Sequence, residues 1–133
     1  DMQQAIILTK MIKDLNYDTE VIICPTVREK DGLALSSRNS YLSPEERNTA
    51  PVLYKALQMA VSMSELGERD AAVIIREIKR KLKEDRVEID YVEIVNPMTL
   101  EKTEKISGSA LIAAAIFVGK TRLIDNAVIR VSE

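Results

Sequence analysis

The chain has 133 residues, 46% of them hydrophobic and 30% charged, which is the balance of a globular protein of one domain or one domain with part of another. Its net charge of -2 gives no general attraction to nucleic acid or to an anionic membrane. A single cysteine and the lack of histidine exclude, for this polypeptide by itself, a disulfide framework, a histidine base and a histidine-bound zinc.

The first predicted element is a helix from Asp1 to Leu15. Asp1 stands at the N-cap position, and Gln4 three residues later completes a capping-box pattern. The same place, where a helix follows a parallel strand, is also where α/β sheets bind nucleotides, so Asp1 and Gln4 are candidates for either role. The apolar residues expected on one face are Ile6, Ile7, Met11 and Leu15.

The run Val21-Ile22-Ile23-Cys24, closed by Pro25, predicts a short buried strand in which Cys24 is a small core residue. A buried parallel strand needs neighbours on both sides. We therefore expect residues 1–24 to be the C-terminal remnant of a Rossmann-like α/β nucleotide-binding domain. Exposed apolar faces and strand edges drive association, so this helix and strand are candidates for homo-oligomer contacts.

From residue 25 onward the pattern predicts a small α+β domain, in which a mostly antiparallel sheet of about three strands packs with helices. A capping box over 43–46, a proline at position 51 and an N-cap at position 70 mark the helix boundaries. The predicted elements are a polar loop at 26–41, helices at 43–49, 51–65 and from 70 onward, and strands at 87–95, 111–118 and 122–129. No apolar run is long enough to cross a bilayer, and the predicted compartment is the cytoplasm.

Two short motifs have competing interpretations. Gly119-Lys120-Thr121 matches the end of a phosphate-binding P-loop, but Ala114 stands where that motif needs glycine, so a hairpin turn is favoured. The basic run at 76–83 is interrupted by Glu77 and has no aromatic platform, so a solvated helix face is favoured over a nucleic-acid stripe.

Residues 32–39 concentrate two hydroxyls, a guanidinium and an amide after a glycine, in the order Gly-Leu-Ala-Leu-Ser-Ser-Arg-Asn. Small polar residues let backbone N–H groups and hydroxyls converge on phosphate oxygens, and the adjacent Arg38 adds a permanently charged bidentate donor. The segment therefore fits a polyphosphate site, although spacing alone leaves open an ordinary polar loop.

Several blocks of this sequence resemble the second half of the pantoate–β-alanine ligase (pantothenate synthetase) family. The resemblance covers essentially the whole chain, and its blocks are Asp-Met-Gln-Gln at 1–4, Pro-Thr-Val-Arg-Glu at 25–29, the segment 31–43, Val-Glu-Ile-Asp-Tyr-Val at 87–92 and the segment 113–126. It implies a nucleotidylyl-transferase fold in which residues 25–133 form a lid-like C-terminal domain that closes over ATP.

The activity implied by the resemblance is a ligation in two steps, with Mg²⁺-bound ATP, pantoate and β-alanine as the partners. Pantoate attacks the α-phosphorus of ATP, which gives pantoyl adenylate and pyrophosphate. The amine of β-alanine then displaces AMP to form the amide of pantothenate.

Carried over residue by residue, the resemblance implies that Asp1 accepts hydrogen bonds from the ATP ribose and that Gln4 binds pantoate. Val27 and Leu35 would contact the nucleotide. The residues expected to hold the phosphates and to act in catalysis are Ser36, Ser37 and Arg38, with the guanidinium stabilising charge on the departing pyrophosphate. No protein metal ligand is expected.

The histidine-containing motif that the family carries in its first half is absent from this chain. We therefore expect the chain by itself to be inactive as a ligase. The alternative is a free-standing module that binds nucleotide phosphates without catalysis, and we give an RNA- or protein-binding role for the basic helix less weight.

Overall fold

The computed structural model describes residues 1–131. Its architecture is α+β, with the helices before the sheet in chain order. The elements are α1 (Met2–Asp14), a 3-10 helix (Ser37–Tyr41), α2 (Pro44–Thr49), α3 (Val52–Glu65), α4 (Ala71–Glu84), β1 (Glu88–Val95), β2 (Ser109–Val118) and β3 (Thr121–Arg130). The helices and strands predicted after residue 42 are all present, with ends shifted by up to two residues.

The sheet has three antiparallel strands in the order β1-β2-β3, so β2 is central. Val118 pairs with Thr121, which leaves Gly119 and Lys120 as a two-residue hairpin turn and confirms the turn interpretation of the P-loop-like motif. Gly119 has φ of +58°, the conformation that such a turn requires. In β1 the register shifts between Ile89 and Tyr91, so the strand carries a bulge at this point.

The hydrophobic core lies between one face of the sheet and helices α3 and α4. Alternate residues of β2 face this core because side chains along a strand point to opposite faces; they are Ala110, Ile112, Ala114, Ile116 and Val118. The four-residue spacing of Ile74, Ile78 and Leu82 predicts a buried stripe on α4, and all three are fully buried, as is Leu57 of α3. The sheet and helices therefore provide a fixed base for the loop at 26–41.

The caps predicted at Ser43 and Asp70 are confirmed. Ser43 accepts the Glu46 N–H at 3.2 Å and the Glu46 carboxylate accepts the Ser43 N–H at 2.9 Å, which completes the capping box of α2. Asp70 accepts the N–H groups of Ala72 and Val73 at the start of α4. Local side-chain hydrogen bonds thus set these boundaries.

The predicted strand at 21–24 is wrong. Residues 21–24 have no strand structure, Ile22 is 76% exposed and Cys24 is exposed rather than in the core. A strand exists only where its backbone groups pair with a neighbour, and within residues 1–131 this segment has no pairing partner.

Helix α1 is present as predicted, but none of its residues is buried. The Asp1 carboxylate accepts the Gln4 N–H at 3.1 Å and caps the helix. The expected apolar face is largely exposed, with Ile6 half-buried and Ile7, Met11 and Leu15 exposed. None of the helices in residues 1–131 combines the length and the apolar content that spanning a membrane requires.

Candidate functional site

A cleft of about 190 Å³ lies between the start of α1, the segment before the 3-10 helix and strand β3. Four of the predicted site residues line it, namely Asp1, Leu35, Ser36 and Arg38. The other three, Gln4, Val27 and Ser37, are exposed and lie outside its lining. The fold therefore brings Asp1 into the same cleft as the segment that contains Ser36 and Arg38, although Asp1 is far from that segment in sequence.

A small hairpin over residues 27–35 carries the two apolar residues expected to contact a nucleotide. The Leu35 N–H donates to the Val27 carbonyl at 3.0 Å, and the Glu29 N–H donates to the Leu33 carbonyl at 2.8 Å. Val27 is 66% exposed and Leu35 54% exposed. The hairpin thus places two exposed aliphatic side chains side by side next to the cleft.

The Ser-Ser-Arg segment begins the 3-10 helix, and Ser36 is its N-cap. The Ser36 hydroxyl accepts the Arg38 N–H at 3.2 Å, which leaves its own O–H free to donate. Ser36, Ser37 and Arg38 are all exposed. Within residues 1–131 the Arg38 guanidinium has neither a carboxylate partner nor a hydrogen bond, so its charge is available to an anion.

Asn39 joins the 3-10 helix to the hairpin before it. Its Nδ2 donates to the Ala34 carbonyl at 3.0 Å, which fixes the orientation of the amide. The Asn39 Oδ1 is buried and has no hydrogen-bond partner within the described residues. Asn39 also lines the cleft, and sequence reasoning gave it no role beyond the general pattern.

An ion pair that sequence reasoning missed holds the hairpin against the sheet. The Arg28 guanidinium donates to both carboxylate oxygens of Asp125 on β3, at 2.6 and 2.9 Å, and to the Gly32 carbonyl at 3.0 Å. It also lies 4.6 Å from the centroid of the Tyr54 ring of α3. The hydrogen bonds to Asp125 raise the pKa of Arg28, which favours its charged form still further.

Gly32 allows the hairpin to lie directly on α3. It has φ of +95°, and a Cβ at this position would overlap the Tyr54 ring. Any other residue would combine an unfavourable backbone conformation with a steric clash.

The sequence contains a signal that Asp125 has a cationic partner. Asp125 shares a predicted strand face with apolar Leu123 and Ile129, and an unpaired carboxylate on such a face would be costly.

A second cleft adjoins the first on the side of the hairpin turn between β2 and β3. Its lining residues are Arg38, Tyr41, Glu46, Gly119, Lys120, Thr121 and Arg122. Arg122 donates through Nε and Nη2 to Asp90 at 2.9 and 2.7 Å. Because Arg38 and Arg122 line both clefts, the two form one continuous surface.

No cluster of three or more histidine, cysteine, aspartate or glutamate residues suited to a metal ion occurs in residues 1–131.

The comparisons with known proteins agree with one another. The family model described as pantoate-beta-alanine ligase matches residues 1–128. The pantothenate synthetases of Caldicellulosiruptor bescii and Thermotoga petrophila are each 53% identical over 130 residues, which is 97% of this chain and 46% of either relative. The chain thus spans just under half the length of these relatives.

Two solved structures are similar in fold. The crystal structure of pantothenate synthetase from Thermus thermophilus has a TM-score of 0.87 and 41% identity, covering 94% of this chain and 45% of that one. The pantoate-beta-alanine ligase from Francisella tularensis, complexed with beta-gamma ATP and beta-alanine, has a TM-score of 0.63 and 28% identity, covering 94% of this chain and 39% of that one.

Proposed function

Because this chain belongs to the pantoate-beta-alanine ligase family, we propose that it is the C-terminal part of an ATP-dependent ligase that joins pantoate to β-alanine. The observation that carries the proposal is the unpaired guanidinium of Arg38, which, within residues 1–131, lines one cleft with Ser36, Leu35 and Asp1. The Francisella tularensis relative, whose structure holds an ATP analogue and β-alanine, supports the choice of ligands.

The phosphates of ATP would bind to the Ser-Ser-Arg segment. The hydroxyls of Ser36 and Ser37 donate to phosphate oxygens, and the guanidinium of Arg38 donates two parallel hydrogen bonds to the same group. When the pantoate carboxylate attacks the α-phosphorus, the bond to the β-phosphate breaks and negative charge grows on pyrophosphate. Arg38 stabilises that charge, and Mg²⁺ bound to the phosphates would neutralise part of it.

The nucleoside end of ATP would extend toward α1 and the hairpin. One oxygen of Asp1 accepts the Gln4 N–H, and the other remains for a ribose hydroxyl. The exposed pair Val27 and Leu35 would cover a face of the adenine base, because aliphatic side chains pack well on a planar ring. Gln4, one turn further along α1, would reach the pantoate.

We propose separate roles for this chain and for the rest of such a ligase. As the family resemblance implies, we assign residues 25–133 to a lid-like domain and residues 1–24 to the end of a larger nucleotide-binding domain in a cytoplasmic enzyme; the relatives are about twice as long as this chain. The remaining half would cover the exposed apolar side chains of α1. Self-association through α1 stays a prediction, which sedimentation of the 133-residue chain would test.

A hybrid enzyme tests the proposed function. The matching 130 residues of the Caldicellulosiruptor bescii relative are replaced by this chain, and pantothenate and AMP are measured after addition of ATP, pantoate and β-alanine. The hybrid should be active, and Arg38→Ala should lower its kcat by about 100-fold, the usual effect of removing a donor aimed at developing charge. The 133-residue chain assayed alone should form no pantothenate.

The matched control is Arg76→Ala, because Arg76 is an exposed arginine of α4 that lines neither cleft. Its kcat should stay within about twofold of the hybrid, and thermal unfolding should show both variants folded. A folded Arg38→Ala hybrid with undiminished kcat would contradict the proposal.

A further inference from the structure

The hairpin turn between β2 and β3 carries a lysine that the proposed function does not use. Lys120 is exposed and lines the same cleft as Arg38. The turn resembles the end of a P-loop in sequence, but its backbone joins two antiparallel strands instead of opening a helix. It therefore cannot wrap a phosphate with its amides as a P-loop does, and any role in binding an anion falls to the lysine side chain.

This turn lies close to α2. Gly119 lies so close to Glu46 that a Cβ on the glycine would overlap the Glu46 carboxylate. Glu46 is itself held at the start of α2, because its carboxylate accepts the Ser43 N–H at 2.9 Å. Lys120 follows this glycine directly and lines the same cleft as Arg38 of the 3-10 helix.

The charges around this cleft leave an excess of positive charge. Within residues 1–131 neither Arg38 nor Lys120 has a carboxylate within salt-bridge distance, whereas Arg122 is already paired with Asp90. Among residues 1–131, Glu46 is the one acidic residue that lines this cleft. Its carboxylate accepts a hydrogen bond from the Ser43 N–H at the start of α2. Arg38 and Lys120, which come from different elements, therefore line a cleft whose acidic residue, Glu46, already accepts a hydrogen bond at the start of α2.

We infer that Lys120 is a further phosphate-binding residue, which contacts the outer two phosphates of ATP and the pyrophosphate that they become. The inference rests on the proposed function for the placement of ATP. The ammonium group is a flexible point charge, and it can follow the pyrophosphate as this product leaves the cleft, after the guanidinium of Arg38 has stabilised the charge that grows as the bond to the β-phosphate breaks.

The experiment titrates inorganic pyrophosphate and, separately, AMP into the 133-residue chain by calorimetry at low ionic strength. Lys120→Gln should weaken the affinity for pyrophosphate about fivefold, the usual effect of one exposed ion pair. The affinity for AMP, which lacks the outer phosphates, should stay within about twofold. Lys79→Gln is the matched control, because Lys79 is an exposed lysine of α4 outside both clefts.

Three results would overturn the inference: wild-type chain that binds no pyrophosphate, an unchanged affinity in Lys120→Gln, or an equal loss in Lys79→Gln. A failure of the proposed function would look different. The hybrid ligase would then be inactive, while the pyrophosphate affinity of the isolated chain would still depend on Lys120.

Discussion

The Asp125 carboxylate accepts two hydrogen bonds from the Arg28 guanidinium, at 2.6 and 2.9 Å, although the two residues are 97 positions apart in sequence. Only 4% of the Asp125 side chain is exposed. The pair joins the hairpin at 27–35 to β3, and this hairpin leads directly into the Ser-Ser-Arg segment. A contact in the interior of the domain therefore sets the position of the proposed phosphate-binding residues.

Asp125→Ala should lower the free energy of unfolding by about 3 kcal/mol, because it leaves the Arg28 cation partly buried without a partner. Urea unfolding of the 133-residue chain measures the effect. Asp90→Ala is the matched control: its ion pair with Arg122 lies on the same sheet but is exposed, so the loss should stay below about 1 kcal/mol. Equal losses in the two variants would show that burial does not strengthen the Arg28 pair.

The parts of the fold that the sequence predicts are those set by local interactions. The capping box at Ser43 and the N-cap at Asp70 involve residues two or three positions apart, and the stripe Ile74, Ile78 and Leu82 repeats with the helical period. The apolar run at 21–24 has a strand-like composition. A strand forms only when a neighbouring strand pairs with it, and the composition of a short run does not show whether that neighbour is present. That prediction was therefore wrong.

The candidate site likewise has a part that a local sequence pattern predicts and a part that depends on how the chain packs. The Ser-Ser-Arg segment is contiguous, so its pattern makes it a candidate anion site, with an ordinary polar loop as the alternative. The contribution of Tyr54 and Asp125 depends on how α3 and β3 pack around the hairpin, which no short pattern encodes. Lys120 was found in the sequence as a turn residue, but only the fold places it in the cleft that Arg38 lines.

The reactivity of the Cys24 thiol can be used to test whether residues 21–24 are exposed in the 133-residue chain. Its thiol is exposed, so it should react with an aromatic disulfide reagent in native buffer at nearly the rate seen in urea. Absorbance of the released thiol follows the reaction. A native rate more than about tenfold slower than the unfolded rate would indicate that the segment is covered, either by a strand partner or by a second copy.

The Asp31–Arg47 pair should make stability depend on pH. A hydrogen bond from Arg47 at 2.6 Å, assisted by the Leu33 N–H, lowers the pKa of Asp31 in the folded chain. The ionised carboxylate therefore stabilises the fold above its unfolded pKa of about 3.9, and this stabilisation is lost as the pH falls through the lower folded value.

Asp31→Asn should accordingly flatten the fall in the free energy of unfolding below about pH 4. At pH 7 it should cost less than about 1 kcal/mol, because the Asp31 side chain is 42% exposed. Arg47→Ala should flatten the same region, and the double variant should add little to Asp31→Asn. Urea unfolding at several pH values measures the slopes, and an unchanged acid slope in both single variants would contradict the assignment.

Gly32 and Gly67 form a matched pair for the packing of the hairpin on α3. Both have positive φ, +95° and +105°, so alanine strains the backbone similarly at each, by about 1–2 kcal/mol. Only at Gly32 would the new Cβ overlap a neighbour, the Tyr54 ring, whereas nothing within the described residues lies within 4 Å at Gly67. Gly32→Ala should therefore destabilise the chain by a further amount of about 1–3 kcal/mol, the usual cost of overpacking.

The Tyr54 ring can be removed to show that it causes the difference. In a Tyr54→Ala background the extra cost of Gly32→Ala over Gly67→Ala should disappear, because the space that the ring fills is then open to the Cβ. Tyr54→Ala alone should also destabilise the chain, since Arg28 loses the aromatic face that lies 4.6 Å from it. If the extra cost persisted without the ring, the hairpin would not rest on Tyr54, and another contact would have to hold the loop that leads to Arg38.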